Sequence, residues 1–222
     1  MSDSSGGSPT TDTTNASRVF DYAESAIVED AAVLAARARA DELGATAVSP
    51  SVGALLAFLA RARGASAVVE IGTGAGVSGL WLLSGMATDG VLTTIDPEPE
   101  HHRAARASFA DADIAPGRTR LINGRPREVL PRLSDNSYDL VFVDGSVIDH
   151  PRHVTEAIRM LRSGGVLVVH NATADGAVGD ASRTDPVTVA ARDAAMIVAD
   201  DEQLLPVIIP LGTGVLAAAK AR

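Results

Sequence analysis

Short apolar segments alternate with helical patterns through the middle of the chain, and this alternation limits the fold more than any other feature. The apolar segments are hydrophobic on both faces, as strands of a parallel sheet are when helices cover both sides. The last two segments are joined by a glycine-containing turn and can pair antiparallel. The sequence therefore predicts an α/β fold. The predicted strands are residues 67–71, 91–95, 119–122, 140–143, 166–169, 204–209 and 215–219, and the predicted helices are 79–86, 98–110, 126–133, 153–161 and 186–199.

The N-terminal residues 1–16 are dominated by Ser, Thr, Gly and Asp. They have too little apolar area to bury, so we predict a disordered arm. The remainder, residues 17–222, shows no internal repeat and is predicted to be one domain. Before the first strand we predict a helix over residues 18–43. A second helix should begin at Ser49-Pro50, because serine can cap free backbone amides and proline fits the first helical position.

The chain carries a formal net charge of −9 and contains no cysteine. An acidic chain does not condense on phosphate backbones or on anionic membrane surfaces, so we expect neither nucleic acid nor a membrane as a partner. The sequence has no secretory signal pattern and no apolar run long enough to span a bilayer. Absence of cysteine excludes disulfides, thiolate metal sites and a Cys nucleophile, and it suits a reducing compartment. We therefore expect a cytoplasmic protein.

The first predicted strand runs into three glycines at alternate positions, Gly72, Gly74 and Gly76, and then into a helix. Glycine lets the backbone turn sharply and lets a ligand approach the main chain. The third glycine of a dinucleotide fingerprint, G-x-G-x-x-G, would instead fall on Val77. The next strand ends in Asp96, where an acid can accept hydrogen bonds from ribose hydroxyls. Alone, Asp96 could equally cap the following helix; together, the glycines and the acid indicate an adenosine-type ligand.

These motifs resemble those of the class I S-adenosylmethionine-dependent methyltransferases. More narrowly, the chain is similar to the small O-methyltransferases of the catechol and caffeoyl-CoA group, over residues 17–220. The resemblance implies a Rossmann-like, doubly wound, mostly parallel seven-stranded sheet with an antiparallel C-terminal strand and added N-terminal helices. The motifs that carry it are Val48-Ser49-Pro50, Gly53 to Leu56, Glu70 to Ser78, Ile95-Asp96-Pro97, Val143-Asp144, Leu161 to Gly165, His170-Asn171 and Pro210 to Gly214.

By this resemblance the glycine turn binds S-adenosylmethionine. Pro97 would lie beside the adenine. Pro126 would lie where a backbone amide meets the adenine in the family, although proline has no amide hydrogen to donate. The residues that the resemblance places around the cofactor are Val48, Glu70, Gly72, Thr73, Gly74, Ser78, Asp96, Pro97 and Asp144.

Polar residues also follow the next two parallel strands: Asp144 ends one, and His170-Asn171 ends the other. Neighbouring parallel strands would bring these side chains to the edge that holds the cofactor. In the family this place holds a divalent cation between two Asp and one Asn, and a Lys three residues after the first Asp is the catalytic base. Here His170 replaces the second Asp, and Val147 replaces the Lys.

These two departures change the expected chemistry. One carboxylate and a neutral imidazole attract magnesium less than two carboxylates do, so we expect weak or absent magnesium dependence. Three roles stay open for His170. It can form a hydrogen bond at its strand end, ligate a metal together with Asp144 and Asn171, or act with Asp144 as a catalytic base. For Asp149, His150 and His153 we expect a solvated loop and the start of a helix.

The sequence thus predicts an enzyme, an S-adenosylmethionine-dependent O-methyltransferase acting on a small-molecule hydroxyl. One alternative is a non-catalytic adenosylmethionine-binding protein, which the loss of the lysine permits. A second is a nicotinamide-dependent oxidoreductase, against which Val77 argues. The resemblance also implies a homodimer. No segment identifies the methyl acceptor.

Overall fold

The computed structural model of the protein describes residues 10–221. Within these residues, seven strands and eight α-helices form one α/β unit. The helices are α1 (Thr10–Ser25), α2 (Ala31–Leu43), α3 (Pro50–Arg63), α4 (Val77–Gly85), α5 (Pro99–Asp111), α6 (Pro126–Val129), α7 (His150–Met160) and α8 (Pro186–Ala199). The strands are β1 (Ala67–Ile71), β2 (Val91–Asp96), β3 (Thr119–Asn123), β4 (Tyr138–Val143), β5 (Leu161–Val169), β6 (Leu204–Ile209) and β7 (Val215–Lys220).

The strands form one sheet in the order β3-β2-β1-β4-β5-β7-β6. Strands β1 to β5 run parallel, and β7 lies antiparallel between β5 and β6. The strand order reverses between β1 and β4, and open α/β sheets bind their ligands at such a point, outside the carboxyl ends of the strands. The predicted fold, a mostly parallel doubly wound sheet with an antiparallel C-terminal strand, is confirmed.

Both faces of the sheet are covered. Along β1, Val68 packs into the core shared with α2 to α5, whereas Val69 packs into the core shared with α7 and α8. Both side chains are fully buried. Successive strand residues point to opposite faces, so a strand between two helical layers is apolar at most positions on both faces. This requirement accounts for the mostly apolar strand segments of the sequence.

The N-terminal helical region differs from the prediction of one helix over residues 18–43. The chain forms α1 and α2 instead, separated at Asp30. The Asp30 side chain accepts a hydrogen bond from the Val33 amide at 2.9 Å and thereby caps α2, which is a common role of aspartate before a helix. Helix α1 begins at Thr10, inside the range predicted as an arm. Residues 1–9 lie outside the described residues, so the arm stays a prediction.

Helix α3 begins at Pro50, with Ser49 in the N-cap position as predicted. The capping oxygen, however, comes from Glu24 of α1. Its carboxylate accepts a hydrogen bond from the Ser51 amide at 3.1 Å and another from the Ser49 hydroxyl at 2.8 Å. Partial burial would raise the pKa of Glu24, but hydrogen bonds from Ser51, Ser49 and Gly212 outweigh it and lower the pKa. An ionised Glu24 therefore fastens α1 to the start of α3.

A bilayer-crossing helix must be both long and apolar. No helix within residues 10–221 combines the length and the apolar character that crossing a membrane demands.

A glycine sets the contact between α3 and α4. A Cβ on Gly85 would lie 2.8 Å from the Cα and carbonyl carbon of Ala57, which are backbone atoms and cannot move aside. We expect Gly85→Ala to lower the free energy of unfolding by about 2–3 kcal/mol through overpacking. The control is Gly117→Ala, where an added Cβ meets nothing within 4 Å. Urea unfolding should separate the two variants, and equal stabilities would contradict the close packing.

Candidate functional site

A cavity of about 450 Å³ opens at the carboxyl ends of β1, β2, β4 and β5. Its walls come from the segment before α3, the glycine turn after β1, the ends of β2, β4 and β5, and the start of α7. It therefore occupies the switch point where ligands of such sheets bind. The lining residues outside the glycine turn include Val48, Asp96, Pro97, His101, Pro126, Asp144, Gly145, Asp149, His153, His170 and Asn171.

Backbone hydrogen bonds fix this edge of the sheet. The amide of Gly72 donates to a carbonyl at the end of β2 at 2.9 Å, that of Asp144 to the end of β1 at 2.8 Å, and that of His170 to the end of β4 at 2.9 Å. The residues that follow three parallel strands are consequently held side by side. Sheet pairing alone thus brings the glycine turn, Asp144 and His170 to one place.

The glycine turn requires glycine for two reasons. Gly72, Gly74 and Gly76 have φ values of 100°, 49° and 89°, a region that other residues rarely adopt. A Cβ on Gly72 would also lie 2.9 Å from the carbonyl oxygen of Asp144. Glycine at position 72 therefore lets two main chains approach closely beside the cavity.

Asp96 orders the same turn. Its Oδ2 accepts hydrogen bonds from the amides of Thr73 at 3.0 Å and Gly74 at 3.1 Å, and it lies 3.0 Å from His101 Nδ1. Its Oδ1 accepts from the amide of Glu98 at 2.9 Å. Helix α5 has Glu98 as its N-cap, so Asp96 supports the helix start without being its cap residue. The carboxylate lines the cavity while holding the turn in shape.

Glu70, which was predicted to lie around the cofactor, is beside the glycine turn and outside the lining of the cavity. It is fully buried, and its carboxyl group accepts hydrogen bonds from the hydroxyls of Ser78 and Thr94, each at 2.6 Å. Thr94 in turn lies 2.7 Å from the Thr73 hydroxyl. Burial raises the pKa of Glu70 to about 8, so the group is largely protonated near neutrality. The structure thus gives Glu70 a supporting position beneath Ser78 and Thr73.

The other residues predicted around the cofactor all line the cavity, as does Pro126. They are Val48, Gly72, Thr73, Gly74, Ser78, Asp96, Pro97 and Asp144. His101, in the first turn of α5, also lines the cavity and was not predicted from the sequence. The available signal was its spacing of five residues after Asp96, which places it on the helix that begins beside that acid.

Asp144 and His170 form a close pair at the other end of the cavity. His170 Nδ1 lies 2.6 Å from Asp144 Oδ1, and His170 is buried. A carboxylate can only accept, so Nδ1 carries the proton and Nε2 is the free acceptor. Nε2 lies 3.3 Å from the hydroxyl oxygen of Thr213, which donates its own proton to Asn171 Oδ1. The imidazole therefore has a fixed tautomer and a fixed orientation.

The predicted metal ligands do not fit a metal centre as they are arranged. His170 Nδ1 donates a hydrogen bond to Asp144 Oδ1, and Asn171 Oδ1 accepts one from the Thr213 hydroxyl. These atoms are therefore already paired with each other or with a neighbour. Among residues 10–221, no group of three His, Asp or Glu side chains is placed to hold a metal ion. We therefore derive no chemical step through a metal, and the expected weak magnesium dependence stays a prediction.

His150 and His153 were expected in a solvated loop at the start of a helix. Helix α7 does begin at His150, but both imidazoles are buried, with 0% and 3% of their surface exposed. His150 Nε2 lies 3.2 Å from the Gly145 carbonyl oxygen and braces the segment after β4. Burial lowers the pKa of His150 to about 4 and also lowers that of His153. Both rings are therefore neutral near pH 7.

Comparisons with known proteins agree with this architecture. The O-methyltransferase family matches this chain over residues 22–221. A protein of Mycolicibacterium vanbaalenii, assigned by name to the O-methyltransferases, is 58% identical over 214 residues, which are 96% of this chain and 95% of the relative.

Solved structures give the same result. A Corynebacterium glutamicum protein superposes with a TM-score of 0.87 at 39% identity, over 94% of this chain and 98% of the other. The O-methyltransferase TomG of Streptomyces achromogenes, involved in tomaymycin synthesis and solved in complex with S-adenosylmethionine, superposes with a TM-score of 0.84 at 32% identity, over 92% and 96% of the two chains.

The buried Glu70 should make stability depend on pH. Its pKa is raised from the ordinary value of 4.5 to about 8 in the folded chain, so near neutrality the folded state holds a proton that the unfolded state has lost. The contribution of this proton to the free energy of unfolding is complete below 4.5, the pKa of Glu70 in the unfolded chain. It is lost as the pH rises through about 8, the pKa of Glu70 in the folded chain. One pKa unit corresponds to about 1.4 kcal/mol. The free energy of unfolding should therefore fall between about pH 6.5 and 8.

The test compares wild type with Glu70→Gln, which remains neutral at every pH and can still bond to Ser78 and Thr94. Chemical unfolding in this pH window should give a flat profile for the variant and a falling one for wild type. The buried histidines do not interfere, because their lowered pKa values change stability only below about pH 6.5. Parallel profiles would show that Glu70 is ionised in the folded chain.

Proposed function

This chain belongs to the O-methyltransferase family, and from that premise we propose that His170 is the general base that activates the acceptor hydroxyl, oriented by Asp144. The enzyme transfers a methyl group from S-adenosylmethionine to an oxygen of a small molecule. Family membership also removes the support for a nicotinamide-dependent oxidoreductase. The observation that carries the proposal is the 2.6 Å contact between His170 and Asp144 at the edge that also holds the glycine turn.

The residues around the glycine turn suit this cofactor. The positive φ of Gly74 and the open space around it, with nothing within 4 Å of an added Cβ, leave the main chain accessible. We assign cofactor contacts to Val48, Gly72 and Ser78 on the wall of the cavity, and to Thr73, Gly74, Asp96, Pro97 and Asp144. Glu70 holds Ser78 by a direct hydrogen bond and is linked to Thr73 through Thr94. When bound, the cofactor would supply the methyl group from its sulfonium, with the S–CH3 bond breaking and its electron pair staying on the sulfur of S-adenosylhomocysteine.

His170 can take the proton that the acceptor loses. With Nδ1–H bonded to Asp144, Nε2 presents a lone pair, and the acceptor O–H proton moves to it as the oxygen forms its bond to the methyl carbon. The product is a methyl ether, and the imidazole becomes an imidazolium. Asp144 stabilises that charge. The new Nε2–H can donate to the Thr213 hydroxyl oxygen, 3.3 Å away. This oxygen can accept because its own proton is directed at Asn171 Oδ1.

This arrangement favours a catalytic role over cofactor binding alone. Asp144 fixes the tautomer of the buried imidazole and leaves Nε2, 3.3 Å from Thr213 Oγ1, without a proton, an arrangement that cofactor binding alone does not require. The lysine that serves as base in the family is absent, because position 147 is Val, and the His170–Asp144 pair fills that role in our proposal.

The base assignment is tested with His170→Gln. Gln cannot accept a proton at neutral pH, so we expect kcat to fall by about 10²–10⁴-fold. S-Adenosylhomocysteine affinity should stay unchanged, because the cofactor half of the cavity is untouched. The measurement is transfer of labelled methyl to any acceptor found by screening phenols, catechols and hydroxy acids. An unchanged kcat would remove His170 from the mechanism.

The cofactor assignment is tested with Asp96→Asn. The variant keeps the shape of the side chain but loses the charge that we expect to accept bonds from the ribose. Calorimetric titration with S-adenosylhomocysteine should show a loss of about 1.5–3 kcal/mol, as for hydrogen bonds to a charged group. Asp89→Asn, an exposed acid in the turn before β2, is the matched control. Equal affinities for Asp96→Asn and the control would refute the assignment.

We also propose a homodimer in the cytoplasm, as the sequence suggested. The support for the dimer is apolar surface on the edge strand β6 and on α8, where Leu205, Val207 and Met196 are 76%, 52% and 54% exposed. Homo-oligomers are most often two-fold dimers. The cytoplasmic location rests on the cysteine-free sequence.

Light scattering should give twice the chain mass of 22.7 kDa for wild type. The double change Leu205→Glu with Val207→Glu should give the monomer mass, because it would place charges in an apolar contact. Phe58→Glu, at a 65% exposed position on α3, should leave the dimer intact. A monomer mass for wild type at all concentrations would exclude the dimer.

A further inference from the structure

The Asp96 carboxylate has little hydrogen-bonding capacity left for a ligand. Its Oδ2 accepts from the amides of Thr73 and Gly74, and His101 Nδ1 lies 3.0 Å from the same oxygen. Its Oδ1 accepts from the Glu98 amide. An ionised carboxylate offers about four lone-pair sites, two on each oxygen. Three donors already face Oδ2, so only one site, on Oδ1, remains for a ligand in the cavity.

The ribose of the cofactor needs more than this one site. It presents two neighbouring hydroxyls, and each hydroxyl that leaves water needs an acceptor for its proton, because an unpaired buried donor is costly. Asp96 can serve one hydroxyl through Oδ1. The acceptor for the second hydroxyl must therefore be another group beside this carboxylate.

His101, in the first turn of α5, offers such an acceptor. Its Nδ1 faces a carboxylate, which can only accept, so in the neutral ring Nδ1 carries the proton and Nε2 keeps its lone pair. Nε2 forms no hydrogen bond with any of residues 10–221, and it is not one of their buried unpaired polar atoms, so it is accessible. The side chain lines the cavity and is 23% exposed. An accessible acceptor therefore lies directly beside Asp96.

The main chain at Asp96 is held in place without His101. His102 is buried and lies outside the cavity lining, and its Nε2 is 3.0 Å from the Asp96 carbonyl oxygen. The Gly124 amide donates to the same oxygen at 3.0 Å. The two adjacent histidines of α5 thus differ in function: His102 braces the backbone, and His101 is left with a nitrogen free to bind a ligand.

Glu98 is a second acceptor on this wall of the cavity. Its residue is exposed, and within the described part of the chain no hydrogen bond orients its carboxylate. Holding a free side chain in one conformation costs entropy, whereas the His101 ring is already oriented by Asp96. The two nitrogens of an imidazole are also separated by only one carbon. His101 Nε2 is therefore better placed than Glu98 to serve a hydroxyl next to the one that Asp96 accepts.

We propose that His101 is a cofactor-binding residue, in which one ribose hydroxyl of S-adenosylmethionine donates to Asp96 Oδ1 and the other to His101 Nε2. This inference rests on the proposed assignment of the ribose to Asp96 and adds a partner that the sequence motifs did not indicate. Because Asp96 already orients the ring, binding needs little rearrangement. The pair contacts both hydroxyls, so the site should discriminate against cofactors that lack either one.

The test is calorimetric titration with S-adenosylhomocysteine and with its 2′-deoxy and 3′-deoxy analogues, so it does not depend on turnover. Wild type should bind both analogues less tightly than S-adenosylhomocysteine. His101→Leu should weaken S-adenosylhomocysteine binding by about threefold to tenfold, as expected for one hydrogen bond. The same variant should bind one of the two analogues, the one without the hydroxyl that contacts His101, as tightly as wild type does.

Two further variants serve as controls. His101→Gln, whose side-chain oxygen can accept a hydrogen bond, should restore part of the lost affinity. Glu98→Ala should bind S-adenosylhomocysteine as wild type does. A loss of affinity in Glu98→Ala with none in His101→Leu would assign the second hydroxyl to Glu98 and overturn the inference.

Each other outcome has a definite meaning. Equal S-adenosylhomocysteine affinity in wild type and His101→Leu would overturn the inference, and so would tighter binding by the variant, which would show that the ring only competes with the ribose for Asp96. An equal loss for S-adenosylhomocysteine and both analogues would give His101 a structural role and overturn it too. No binding by wild type would refute the cofactor assignment itself. The expected binding pattern without methyl transfer to any compound would support His101 and refute the proposed base.

Discussion

The close approach of two main chains, at Gly72 and Asp144, is the constraint on which the site depends. The amide of Asp144 is bonded to the end of β1, and a side chain on residue 72 would collide with the Asp144 carbonyl. This contact places the cofactor turn against the end of β4, and pairing of β4 with β5 then adds His170. A shift of even an ångström here would separate the two halves of the cavity, and displacement reactions are sensitive to such distances.

Burial also decides the charge states of the site. Ionisation in a region of low dielectric is costly unless a partner is present, so isolated groups become neutral and paired groups keep their charge. Glu70 and His153 favour their neutral forms, because burial raises the pKa of Glu70 and lowers the pKa of His153. Asp96 and Asp144 do have partners: backbone amides contact Asp96, and His170 contacts Asp144.

The sequence predicted what depends on local patterns. Strand apolarity, the glycine turn and the acid at Asp96 are encoded within a few residues, and each was found where expected. The burial of His150 depends on helices that are remote in sequence and pack against α7, so no local pattern revealed it. Glu70 lies between these cases. It lies on the same strand face as Val68, two residues earlier, and the two-residue period of a strand accounts for its burial in the core, outside the cavity lining.

The chain departs from the pattern of the resembling family at two positions, with Val147 in place of the Lys and His170 in place of the second Asp, and the two departures are chemically related. Lysine is strongly hydrated, and it acts as a base only when its surroundings lower its pKa; a neighbouring cation can do so. Imidazole already titrates near neutrality. Strand pairing holds His170 after β5, where it is hydrogen-bonded to Asp144, so the base that we propose is aligned without a residue on the turn at Val147. In the resembling family an acidic metal ligand holds this position, so the proposed base and the expected weak magnesium binding both follow from one replacement, His170 for Asp.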